Sequence, residues 1–333
     1  MAKCIASNSL GAAPDTYLYA LAHCTAGNVK TLATIGSDDT LRLFDPNLKL
    51  SQATSSCHAG VTCLTSSDDN SSNVQFLTGG RDGLVRCWDP RSRGHIAQAS
   101  DPRGNGIASL ASRDRFIAVG TESLKEGLGD VSVLLYDTRN FTAPIRQYEE
   151  SHTDTITQLV FHPTQPNLLL SGSTDGLASI FDVEQTDEED ALQQVLNPRS
   201  AVHCAGFIAE DQVYVISTDE QYSIHTLAKT LSEDEEVPPP IQFGDMRERL
   251  QCTYVIDVVL QSSGGPPLIA HGNAESGKLS LTSLGSPGSW ALGQSIDLPD
   301  AHGSEIVRGV LLDAGLTYTC GEDGTVKVWN VGQ

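Results

Sequence analysis

The chain has 333 residues, of which 39% are hydrophobic, 19% charged and only 6% aromatic, the profile of an ordinary soluble protein. Lys and Arg total 21 and Asp and Glu total 42, so the formal net charge is 21 − 42 = −21. That surplus of anions argues against a nucleic-acid binder, which must neutralise phosphates with cations, and against docking on an anionic membrane; it favours solubility and a basic partner.

From the N-terminus, Met1 to Leu10 lacks the apolar run of a secretory signal, and no later stretch approaches the ~18 apolar residues of a membrane helix. Lys3-Cys4-Ile5-Ala6-Ser7 reads as a spare strand ahead of the first repeated unit. That unit ends with a phrase that recurs down the chain: a turn Asp, usually followed by Gly, then an alternating strand, an aromatic and a closing Asp or Asn. It stands at Asp38 to Asp45, then at Asp82-Gly83-Leu84-Val85-Arg86-Cys87-Trp88-Asp89. It returns at Asp130 to Asp137, at Asp175 to Asp182 and at Asp323 to Asn330. Two weaker copies lie between the last two, at Asp219 to Thr226 and Ser276 to Ser283. The closing positions are 45, 89, 137, 182, 226, 283 and 330, with successive spacings of 44, 48, 45, 44, 57 and 47.

Each part of the phrase has a physical reason. The Asp accepts backbone N–H bonds within a tight turn, and Gly tolerates the positive φ beside it. Alternation predicts a strand with one packed face, and the aromatic plugs the space between neighbouring sheets. A second strand precedes several of the turns and ends on a hydroxyl four residues before the Asp, at Thr34, Thr78, Ser171 and Thr319. A histidine stands before that strand pair at His58, His152 and His302.

A period of ~40–45 residues with four strands per unit marks a WD-repeat propeller blade. The units resemble WD repeats, in which His, Ser or Thr, Asp and Trp form a buried hydrogen-bonded chain. Full sets stand at His58, Thr78, Asp82 and Trp88 and at His302, Thr319, Asp323 and Trp329; the set at His152, Ser171 and Asp175 has Phe181 in place of Trp. The expected fold is therefore all-β: a single seven-bladed WD-repeat β-propeller domain over residues 1–333, degenerate in its fifth and sixth blades. The last strand ends near Asn330, which leaves the last blade one strand short. The N-terminal strand is expected to complete it and so cover an open sheet edge. More finely, Ser151-His152-Thr153-Asp154, Phe161-His162-Pro163 and the stretch from Asn167 to Asp182, with Glu188-Glu189-Asp190 beyond, resemble the WD-repeat protein 89 family. That resemblance implies an intracellular propeller and little chemistry.

Signals for catalysis are missing: there is no phosphate-binding G-x-x-x-x-G-K-[ST] loop, no G-x-G-x-x-G and no H-E-x-x-H. The eight cysteines form no C-x-x-C pair, which points to reduced, buried thiols in cytoplasm and nucleus rather than to zinc. No catalytic residue, metal or cofactor is expected; the periodic histidines read as scaffold. The chain reads as a monomeric, noncatalytic adaptor for other proteins.

Two features suggest where partners bind. Acidic inserts follow the fourth and fifth closing strands, at Asp187-Glu188-Glu189-Asp190 and Glu233-Asp234-Glu235-Glu236. They are either two solvated loops or one patch that cradles a basic nuclear or ribosomal protein, which the chain would escort. Second, the stretch from Phe76 to Arg91 resembles the box of cullin-4 ubiquitin-ligase substrate receptors, whose diagnostic end is Trp-Asp-x-Arg. Trp88-Asp89-Pro90-Arg91 matches it, and Tyr136-Asp137-Thr138-Arg139 is an aromatic variant. The resemblance implies that Arg91 and Arg139 contact the ligase's propeller adaptor. A bond from each arginine to its own blade is the plainer alternative.

Overall fold

A computed structural model describes residues 2–26, 29–67, 75–125, 129–228, 236–261 and 264–331. It contains seven four-stranded antiparallel sheets, in two compact units.

The unit His58–Asp245 holds four sheets, numbered here by their place in the chain. The second sheet runs Val61–Ser66, Phe76–Gly80, Leu84–Trp88 and His95–Ser100. The third runs Ile107–Arg113, Phe116–Thr121, Val133–Asp137 and Arg146–Tyr148. The fourth comprises Ile156–Phe161, Leu168–Ser173, Ala178–Asp182 and Leu192–Leu196. The fifth comprises Val202–Ala209, Gln212–Ser217, Gln221–Thr226 and Ile241–Asp245.

The other unit joins Met1–Cys57 to Met246–Gln333. It holds the first sheet, Leu18–Ala26, Val29–Gly36, Leu41–Phe44 and Leu50–Thr54. The sixth sheet is Tyr254–Val259, Leu268–Asn273, Lys278–Ser286 and Ser289–Leu298. The seventh takes three strands from the C-terminal end, Val307–Asp313, Leu316–Gly321 and Val326–Asn330, and its fourth from Lys3–Asn8. Lys3 pairs with Asn330 and Cys4 with Trp329, so the N-terminal strand completes the last sheet and covers its edge.

Within each unit the cores lie between consecutive sheets. Leu77, Val85, Ile107 and Tyr136 pack the second sheet on the third, and Phe116, Leu135, Leu169 and Phe181 pack the third on the fourth. The closing aromatics are nearly all fully buried, as plugs must be. Glycines near the ends of two second strands make this approach possible: a Cβ on Gly79 would stand 2.6 Å from Ile107, and one on Gly172 would stand 2.7 Å from Val202. In the turns, Gly83, Gly176 and Gly324 take positive φ, while Asp39 and Glu220 adopt the same conformation where glycine is missing.

One regularity is invisible in the sequence. Every first strand breaks register within its first two residues, as between Val61 and Cys63, Ile156 and Gln158, and Val307 and Gly309. Such a bulge inserts one extra residue and re-aims its side chain. At Thr157 the hydroxyl donates to Val202 O of the next sheet at 2.9 Å, and Thr62 does the same to Ile107 O. Glu188–Ala191, in the first acidic insert, and Met246–Leu250 are short helices.

Candidate functional site

The His–hydroxyl–Asp sets are built as hydrogen-bond chains with one consistent direction. In the second sheet Trp88 Nε1 donates to Thr78 Oγ1 at 2.8 Å, Thr78 and His58 Nε2 are 2.7 Å apart, and His58 Nδ1 lies 2.8 Å from Asp82. A neutral imidazole protonated on Nδ1 satisfies every member: the threonine O–H donates to Nε2, and Nδ1–H donates to the carboxylate. The seventh sheet repeats this with Trp329–Thr319 at 3.1 Å, Thr319–His302 at 2.8 Å and His302–Asp323 at 2.7 Å. In the fourth sheet His152 joins Ser171 at 2.7 Å and Asp175 at 3.0 Å, and Phe181 supplies no donor. Burial pushes His58 below the ordinary imidazole range, against the pull of Asp82. For Asp82 burial works the other way, but the bonds from His58 and from the Ala59 and Leu84 N–H groups outweigh it and lower the carboxyl. Each of these groups is closed on its neighbours, which is a scaffold arrangement.

The degenerate sheets use other polar pairs. Arg42, buried in the first sheet, pairs with Asp38 and donates Nε to Leu10 O at 3.2 Å. In the sixth, His271 Nε2 meets Thr282 Oγ1 at 2.8 Å, and Thr282 meets Ser295 at 2.7 Å. His271 carries no repeat signature, so sequence reasoning missed it.

Arg91 and Arg139 occupy the same position in adjacent sheets, in the connections between third and fourth strands. Each makes a two-toothed bond to the closing Asp of its own sheet. Arg91 donates Nε and Nη2 to Asp89 at 2.9 and 2.6 Å; Arg139 donates Nε to Asp137 at 2.8 Å and Nη2 to its second oxygen. The Arg139 guanidinium holds the Asp137 carboxyl down at about 2. Both side chains remain well exposed, at 62% and 72%. Neither Nη1 has a partner among the described residues. Arg93, also exposed, stands two residues further on.

The first acidic insert is built into the fold. Asp187 caps the helix Glu188–Ala191 by accepting the Glu189 N–H. Glu188 is not a free charge: its carboxylate accepts the N–H groups of Glu149, Glu150 and Ser151 at 2.5, 3.0 and 2.8 Å, and the Ser151 hydroxyl as well. It thereby anchors the connection that delivers His152. Glu188→Ala is expected to cost about 1–3 kcal/mol, read as a lower midpoint in urea unfolding. Asp187, Glu189 and Asp190 are exposed. In the second insert Glu236 is exposed, whereas Glu233, Asp234 and Glu235 lie outside the described residues.

Comparison with known proteins agrees with this geometry. The family model "WD domain, G-beta repeat" matches residues 50–89, 143–182 and 293–330. An uncharacterized WD repeat-containing protein of Saccharomyces cerevisiae is 38% identical over 74% of this chain, a match that spans 61% of that relative. An uncharacterized WD repeat-containing protein of Schizosaccharomyces pombe is 32% identical over 82% of this chain and 84% of its own length. The WD repeat-containing protein 89 homolog of Dictyostelium discoideum is 28% identical over 60% of this chain and 53% of its own length. Among solved structures, the WD40 β-propeller domain of Doa1 superposes with a TM-score of 0.69 over 100% of this chain and 98% of that one, at 13% identity. The fold is a seven-bladed propeller.

Proposed function

We propose, from the premise that this chain belongs to the WD-repeat family, that it is an adaptor docked on cullin-4 ubiquitin-ligase machinery through Arg91 and Arg139. WD-repeat propellers are scaffolds for protein interaction, so the question for this chain is which surface is prepared for a partner.

The observation that supports the reading is the matched arginine pair. A flexible exposed arginine loses rotamer freedom when it docks. Here each side chain is already held by its own aspartate, so much of that cost falls in the free protein. The planar fork keeps an unused edge for a carboxylate or carbonyl on the partner. An exposed arginine–aspartate pair adds little to folding stability, so its recurrence in adjacent sheets favours a binding role.

The test is recovery of the cullin-4 adaptor on the immobilised protein. Arg91→Ala with Arg139→Ala is expected to reduce recovery by at least about tenfold, the scale of an interfacial arginine hot spot. The variant's unfolding free energy stays within about 0.5 kcal/mol of wild type. Undiminished recovery by a folded double variant excludes the proposal. A second reading, escort of a basic protein, draws support from exposed Asp187, Glu189 and Asp190. In the same assay their replacement by Asn and Gln reduces recovery of a basic protein while adaptor recovery stays intact.

A further inference from the structure

Cross-strand register locates the repeat's histidine slot independently of sequence motifs. In the first sheet Leu41, three residues past the turn Asp38, pairs with Thr54, and His58 lies four residues beyond. By the same count Val133 pairs with Tyr148 and leads to His152, and Leu279 pairs with Leu298 and leads to His302. In the fourth sheet Ala178 pairs with Leu196, and the slot falls on Ser200. The fifth sheet thus keeps its turn aspartate, Asp219, but has a serine where the imidazole would stand.

Two hollows flank Ser200. Beside His302 the gap against the preceding turn, bounded by Gly277 and Leu279, is too small for a water molecule. Beside Ser200 the gap against Gly176 and Leu177 is about 360 Å³. On its other flank the same connection borders a hollow of about 700 Å³, lined by Arg199, Ser200, Asp219, Gln221, Pro239 and Gln242. That volume lies within the ~300–1,000 Å³ of ligand sites. The larger hollow is the candidate groove, and the smaller adjoins it at Asn197, Arg199 and Ser200.

Arg199 is set up unusually. Its backbone takes φ +70°, a conformation that costs a non-glycine residue energy, and is held there by its N–H donating to Asn197 Oδ1 at 2.9 Å. Its exposed guanidinium makes no ion pair or hydrogen bond among the described residues, in a chain of net charge −21. The Asp219 carboxylate at the same groove accepts the Ser217 hydroxyl.

We propose that this groove binds an extended peptide through an acidic side chain seated on Arg199. The guanidinium grips the carboxylate, the Gln221 and Gln242 amides suit peptide main chain, and the proline wall takes the apolar part of the segment. The site involves different residues from the Arg91 and Arg139 pair and stands or falls separately.

The experiment pans a random peptide library on the full chain and measures selected peptides by fluorescence polarisation. Enriched peptides share an Asp or Glu at one position, and Arg199→Glu weakens them by at least about tenfold. Exchange of that acidic residue for Lys restores binding to Arg199→Glu, a rescue that a merely structural arginine would not give. Ser200→His, which refills the slot, also weakens binding, while Arg91→Ala with Arg139→Ala does not. Lack of enrichment, or peptides that bind a folded Arg199→Glu variant as well as wild type, overturns the proposal.

Discussion

Trp329→Ala is expected to destabilise the protein by about 3–5 kcal/mol in urea unfolding, the largest single effect foreseen. Trp329 is 1% exposed and packs with Leu268, Leu279, Leu281 and Val307 between the sixth and seventh sheets. Its loss opens a cavity that rigid strands on both sides cannot close. It also removes the N–H that completes the Thr319–His302–Asp323 chain. Trp329 sits opposite Cys4 in the N-terminal strand, so that strand loses the partner side chain that helps hold it. Amide exchange in Lys3–Asn8 should therefore accelerate in Trp329→Ala. Trp329→Phe keeps most of the apolar volume and loses the hydrogen bond, for about 1–2 kcal/mol. A loss below about 1 kcal/mol in Trp329→Ala would show that the plug does not support closure.

The second large effect is acid sensitivity. Burial, with Lys278 nearby, pushes His271 down to about 4 from the ordinary 6.5, and Asp297 only partly opposes this. Between those two values the unfolded chain binds a proton that the folded protein refuses. Stability therefore rises with pH across the window: the contribution is complete above pH 6.5 and gone by about pH 4. A shift of that size corresponds to about 3 kcal/mol. His58 and His225 are also lowered, chiefly by burial, and add to the same trend. Asp82, Asp175 and Asp323 are held below the usual 3.8, so their share is lost only under more acidic conditions. Urea unfolding at a series of pH values should show a steep fall in wild type and a shallower one in His271→Gln. Parallel profiles from pH 7 to 4.5 would refute the assignment.

His271 also shows where sequence reasoning ends. His58, His152 and His302 were legible because each stands at a set distance from a turn aspartate and a strand-end hydroxyl. His271 lies within a second strand and meets Thr282 only through the pairing of that strand with the next. In the sequence Glu188 belongs to an acidic run, with a solvated loop and a cradle for a basic partner as its two readings. Its actual bonds are to backbone 37 to 39 residues earlier, a relation with no local signature. Arg91 and Arg139 were named from the sequence with two accounts open, and the structure shows the bond to the closing aspartate in both.

The repeat phrase itself determined the all-β architecture, the count of seven sheets and the need for the N-terminal strand to complete the last. Turn chemistry, alternation and strand length act among neighbours within a few residues, and neighbours are written in order along the chain. Only the tertiary structure decided the bulge in every first strand, the anchoring of Glu188 and the hollows beside Arg199 and Ser200. These depend on register between strands and on which groups meet across sheets, and such distances are set when the sheets pack.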